Sequence, residues 1–152
     1  LKPDAFLKKT TLYLKNLEDA RRLSVVVGLP IESTANDIYD DGQSILEVGA
    51  SHEYGAGVPM RSFLRLPFDV KKDVMAKAID TQFRKVFFEG LNAKKALGLV
   101  GVAARNIVID AFRTGGFGQW QDISSITKEL KGSTKILIDT GILRGAITWA
   151  VR

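Results

Sequence analysis

PFDVKKDVMAKAIDTQFRKVFFEGLNAKKALGLVGVAARNIVIDAFR, residues 67–113, is the stretch on which the fold turns. Phe68, Met75, Ile79, Phe83, Val86 and Phe87 recur at three- and four-residue steps, so one wide apolar stripe runs along a helix from about Pro67 to Glu89. Pro67 suits a helix start and Gly90 a stop. Asn92 can then cap a second helix, about Ala93 to Arg113, whose buried face is Ala96, Val100, Ala103, Ala104, Ile107, Val108 and Ala111. Gly98 and Gly101 each cost this helix roughly 1 kcal/mol of propensity, so a packing gain must offset them. Close approach to the preceding helix is the expected gain.

Working outward, Asp4 to Ala20 has helical spacing, with Phe6, Thr10, Tyr13, Leu14 and Leu17 on one side and lysines opposite. Arg21 and Arg22 suit its C-terminal end. Leu23 to Gly28 is β-branched and predicts a short buried strand. Glu32 to Ser44 is polar and predicts a mobile loop or hairpin tip. Ile45 to Tyr54 predicts a short helix with Leu46, Ala50 and Tyr54 on one face, ended by Gly55-Ala56-Gly57. Val58 to Leu66 is proline-bounded and extended. Beyond the long helices, Thr114 to Trp120 is a flexible glycine turn carrying two aromatics, and Asp122 to Leu130 a short helix or turn. Ile136 to Asp139 and Ala146 to Val151 read as strand edges flanking a helical or turn element at Thr140 to Leu143. The order predicts an α+β class: a small mixed or antiparallel sheet against two long amphipathic helices, with mobile polar loops, in a single domain over 1–152.

The chain has 152 residues, net charge +5, no cysteine and one histidine. That excludes a disulfide framework, a thiolate metal site and a multi-histidine site. No apolar run approaches the length of a membrane span. The basic residues are scattered, the pattern of a solvated surface rather than a nucleic-acid stripe. The opening at Leu1 without methionine leads us to expect a portion of something slightly longer.

Four motifs suggest chemistry and fall short of it. Asp139-Thr140-Gly141 resembles an aspartic-protease loop, but eleven residues follow, too few for the β-rich remainder of that fold. Asp139 capping a short helix at Thr140 to Arg144 is the better reading. Ser125-Ile126-Thr127-Lys128 has Ser-x-x-Lys spacing without its companion motifs. Lys131 to Lys135 lacks the glycine spacing of a phosphate loop. His52-Glu53 is followed by Tyr54-Gly55-Ala56, not by the second histidine of a zinc motif. Neither a catalytic group, a cofactor nor a metal is expected.

Four segments do form an ordered series. Val27-Gly28-Leu29-Pro30 ends a strand, and His52-Glu53-Tyr54-Gly55 ends a helix. Pro59-Met60-Arg61-Ser62-Phe63-Leu64-Arg65-Leu66-Pro67 forms a connector. Lys131 to Thr148 reads KGSTKILIDTGILRGAIT. In this order they resemble the phage virion morphogenesis, or tail-completion, family: neck proteins of long-tailed bacteriophages. The resemblance runs from about Val25 to Arg152. One departure is Arg61-Ser62, where many relatives have Arg-Pro. It implies a structural virion protein, not an enzyme. Copies of the chain would form a homo-oligomeric ring at the head–tail connector, assembled in the host cytoplasm. The ring would touch neighbouring neck, head-closure and tail-terminator or tail-tube proteins. Genomic DNA would pass through its lumen without sequence-specific binding, and no membrane is involved. The alternatives are a tail terminator capping the tube and, from another class, a DNA-binding module. The expected contact residues are His52, Glu53, Tyr54, Met60, Arg61, Phe63 and Arg65, with Arg144 and Trp149 from a second region at Gly141 to Trp149. Arginine and aromatic side chains are favoured at such surfaces because they bury area and fix geometry.

Overall fold

The computed structural model describes residues 3–34, 38, 39, 42–121 and 141–152. These described residues are 67% helical with a small two-stranded antiparallel sheet, an α+β fold. In chain order the described elements are α1 (Pro3–Arg22), β1 (Val25–Gly28), α2 (Ile31–Thr34), α3 (Ile45–Tyr54), α4 (Arg65–Val70), α5 (Lys72–Glu89), α6 (Ala93–Thr114), α7 (Ile142–Ala146) and β2 (Thr148–Val151). β1 pairs with β2, and Ser24 and Arg152 exchange both backbone hydrogen bonds at 2.7 and 2.9 Å. The helix and strand expected at Asp122 to Leu130 and Ile136 to Asp139 lie outside the described residues, as does the capping role of Asp139.

The chain divides into two units, one of residues 27–72 and 105–148, the other of residues 1–26, 73–104 and 149–152. The first is built around an aromatic core. Phe63, Phe112, Trp120, Ile45, Leu143 and Ile147 are buried together, flanked by Val27, Leu29 and Tyr39. The Phe63 and Phe112 ring centroids are 5.3 Å apart, and Trp120 meets Phe112 edge-on at 5.8 Å, a favoured quadrupole arrangement. Trp120 arrives there because the chain turns tightly after α6. Gly115, Gly116 and Gly118 have positive φ, as does Phe117 at 56°. A Cβ at Gly116 would stand 2.3 Å from the indole, so only glycine fits. This turn is therefore packed into the core, not the free-standing loop that its glycines suggest.

In the second unit, α5 ends at Gly90, whose φ of 73° reverses the chain. Asn92 Oδ1 accepts the Lys95 amide at 3.1 Å and caps α6 as expected. Val86, Ala93, Ala96, Leu97, Val100 and Ala104 are buried here. Asn16 of α1 is buried too, donating to the Leu91 carbonyl at 3.3 Å. That bond anchors the C-terminal half of α1. Residues 4–12 of the helix are exposed throughout.

Several expectations are corrected. The single helix from Pro67 is two, because the chain leaves helical geometry at Lys71 (φ −107°, ψ 26°). Within α5 only Val86 is buried, while Ile79, Phe87 and Phe88 are exposed at 40%, 37% and 77%. β1 is not a buried strand, since Val26 is 41% exposed. The start of Glu32 to Ser44 is helical, since α2 occupies Ile31–Thr34, while the antiparallel bridge of Ile38 to Ser44 agrees with the expected hairpin. Gly98 and Gly101 do not face the preceding helix. They make room for the Trp149 indole, which lies 3.3 and 2.7 Å from where their Cβ atoms would be.

Candidate functional site

The residues expected to meet a partner cluster at the end of α3 and in the connector after it. Helix α3 starts at Ser44, whose hydroxyl accepts the Leu46 amide at 3.3 Å, and stops at Gly55 in left-handed conformation (φ 74°). Its buried face is Ile45, Gly49 and Glu53. That is one residue round from the expected Leu46-Ala50-Tyr54 face. The shift has a physical cause in Gly49. A Cβ there would lie 2.6 Å from Leu29, 3.4 Å from Leu143 and 3.5 Å from Phe63, so the helix approaches the core by its backbone.

The shift also carries a carboxylate inside. Glu53 is 4% exposed. Its Oε1 accepts from Ser62 Oγ at 2.7 Å, Arg65 Nε at 2.8 Å and the Arg65 amide at 3.2 Å. Oε2 accepts the Leu64 amide at 2.9 Å, and Arg65 Nη2 returns to the Glu53 carbonyl at 2.9 Å. The buried carboxylate is thus compensated by four hydrogen bonds from one short segment. Ser62 Oγ in turn accepts the Leu66 amide at 3.2 Å. The hydrogen bond to Glu53, then its charge, holds the Arg65 guanidinium above its ordinary pKa. Arginine accordingly stays charged at any working pH, and the clasp keeps its cation.

Around this clasp the expected contact residues separate. Glu53, Arg61 and Phe63 point inward, a correction to their assignment as surface groups. Arg61 is 6% exposed and Phe63 fully buried. Arg61 donates Nη2 to the Gln121 carbonyl at 3.4 Å, and its amide donates to the His52 carbonyl at 2.8 Å. His52 is half-buried. Tyr54, Met60 and Arg65 face outward, the first two at 68% and 60% exposure. The Arg65 guanidinium sits 4.9 Å above the Tyr54 ring. Met60 Cβ lies 3.0 Å from where a Gly55 Cβ would be, which ties the connector to the helix end. The result is a small outward patch of tyrosine, arginine and methionine with fixed geometry, suited to burying area against another protein.

The second expected region is also divided. Arg144 lies half-buried on α7 in the first unit. Trp149 belongs to the second unit, where it borders a groove of about 520 Å³ with Lys94, Lys95, Leu99, Val102 and Val151. A further groove of about 470 Å³ runs along α1 beside Phe6, Tyr13, Leu14 and Leu17. Among the described residues no cluster of three His, Cys, Asp or Glu side chains could hold a metal, and no helix is long and apolar enough to cross a membrane. Ser125 to Lys128, Lys131 to Lys135 and Asp139 lie outside the described residues.

The Glu53 clasp was not anticipated. Its sequence signal is a glutamate in phase with Ile45 and Gly49, followed within a dozen residues by Ser62 and Arg65. No family model, curated protein or solved structure matches this chain.

Proposed function

We propose that the chain is a structural protein of the virion neck of long-tailed bacteriophages, one protomer of a ring that joins the head side to the tail. The observation that carries this reading is the ordered motif series, whose described residues are neighbours in the first unit. Gly28 faces Leu64 at 3.7 Å from its Cβ position. Gly49 is enclosed by Leu29, Phe63 and Leu143, drawn from three of the four segments. Glu53 grips Ser62 to Arg65. The motif residues thus act as a scaffold that fixes the connector and displays Tyr54, Met60 and Arg65. A scaffold of this kind serves assembly: each protomer offers two different faces, and repeated rotation closes the ring. Genomic DNA passes through the lumen and is not bound by sequence.

The test is assembly with folding held constant. Tyr54→Ser/Met60→Ser removes the outward patch, the ring over Arg65 included, and leaves the Glu53 hydrogen bonds in place. The melting temperature should fall by no more than an ordinary surface change causes, with a loss of oligomer in sedimentation velocity. A double variant that assembles as well as the wild type counts against this surface. Tight DNA binding with a steep salt slope would favour the nucleic-acid module instead.

A further inference from the structure

We propose that Phe88 of one copy inserts into the groove beside Trp149 of the next, and that this pairing is a contact between copies in the assembly. The inference rests on the functional reading above and names one contact that it needs. Phe88 and the groove both belong to the second unit.

The groove has an apolar floor. Leu99 and Val102 of α6 are 44% and 41% exposed, with Trp149 and Val151 alongside. An apolar cavity of about 150 Å³ holds a benzene ring. A groove of about 520 Å³ therefore has room for a benzyl side chain. Lys94 and Lys95, both exposed, stand at its edge on the first turn of α6. Such a floor with two ammonium groups suits an aromatic side chain that arrives with a carboxylate.

Among the described residues, Phe6, Tyr54 and Phe88 are the aromatic side chains at least 60% exposed. Phe6 shares its face of α1 with Lys9. Placed against Lys94 and Lys95, it would bring like charges together in a partly desolvated contact, which is repulsive. Tyr54 carries the Arg65 guanidinium 4.9 Å above its ring and would bring a cation too. Phe88 is the most exposed of the three, at 77%, and the exposed Glu89 follows it. Of the cations just before it, Arg84 is held by Asp80 at 2.7 Å and Lys85 is half-buried. Charge therefore selects Phe88.

The position of Phe88 is set before any contact is made. The Leu91 amide donates to the Lys85 carbonyl at 3.0 Å, and Gly90 reverses the chain at φ 73°, which closes the last turn of α5. The Leu91 carbonyl in turn accepts from Asn16 at 3.3 Å. A side chain held on a closed helix end loses little freedom on docking. Phe88 and the groove are different patches, so each contact joins one copy's aromatic to another copy's groove.

The experiment uses variants of the full chain in sedimentation velocity, alone and mixed. Phe88→Ser lacks the inserted ring, and Leu99→Ser/Val102→Ser lacks the floor. Each alone should weaken association about tenfold or more. Mixed, they should recover one contact, between the intact Phe88 of one variant and the intact groove of the other, and sediment as a one-to-one pair. Lys94→Glu/Lys95→Glu keeps the floor and should weaken association by repelling Glu89. Melting temperatures serve as the folding control. An assembling wild type whose folded variants associate equally well, or variants that stay apart when mixed, overturns the contact and leaves the proposed function standing. So does an assembly lost with Phe6→Ser and kept with Phe88→Ser, which seats α1 in the groove instead. A wild type that is solitary at every concentration overturns the contact and the functional reading together.

Discussion

Glu53 is the residue from which the candidate surface is organised. Replacing it with glutamine keeps its shape but removes the charge that compensates two backbone amides, a hydroxyl and a guanidinium. A loss of about 2 kcal/mol is expected, since charge-assisted bonds to a buried group are worth more than neutral ones. Urea denaturation measures it, and a loss within ±0.5 kcal/mol, the range of an ordinary surface change, would deny the clasp its role. Arg61 and Arg65, alike in the sequence, differ in kind. Arg61→Ala empties a buried position and should lower the melting temperature and the urea midpoint together. Arg65→Ala opens an exposed position but takes the cation from buried Glu53, so it should lower stability as well as impair assembly. Sequence reasoning grouped the two because arginine is favoured at contact surfaces, and residue type alone does not say which way a side chain turns. Turned inward, Arg61 reaches the Gln121 carbonyl, a contact 60 positions away.

At the scale of elements, periodicity and punctuation carried most of the reading. α1, α3 and α6 begin and end within about two residues of their expected bounds, because capping residues and left-handed glycines are local signals. The break at Lys71 was not legible. Phe68 and Met75 keep helical phase across it, and only the backbone records the interruption. Nor was the face of α3, because a glycine on the buried side carries no hydrophobic signal. The glycines of α6 give the clearest element-level test. At Gly101 an alanine Cβ would lie 2.7 Å from the Trp149 ring, and the ring has no flexible end to move aside. Gly101→Ala should therefore destabilise by about 1–2 kcal/mol, overpacking outweighing a propensity gain of about 1 kcal/mol. At Gly98 the nearest ring atom is 3.3 Å away, so Gly98→Ala should be neutral to slightly stabilising. Chemical denaturation of the pair checks this, and equal effects would mean that Trp149 does not lie over Gly101.

At the scale of the whole molecule, many large apolar side chains stand in solvent. Phe6, Leu7, Leu14, Ile31, Ile38, Tyr54, Met60 and Phe88 are each at least 60% exposed. Scattered singly they would mean little, but Phe6 and Leu14 join Tyr13 and Leu17 along α1, and Leu99 and Val102 are exposed beside Trp149 in the α6–β2 groove. The α+β class was legible because helix, strand and turn signals agree along the chain. The faces left open were not, since a periodic stripe looks the same whether it meets its own core or a neighbour's. Such faces are what a protein that works by touching copies of itself requires. The most direct test is the mass of the purified chain by native mass spectrometry and sedimentation across concentration. The account predicts a closed assembly of one copy number above two that forms as concentration rises. A species that remains a monomer to about 0.1 mM, some hundredfold above a micromolar Kd, would contradict it.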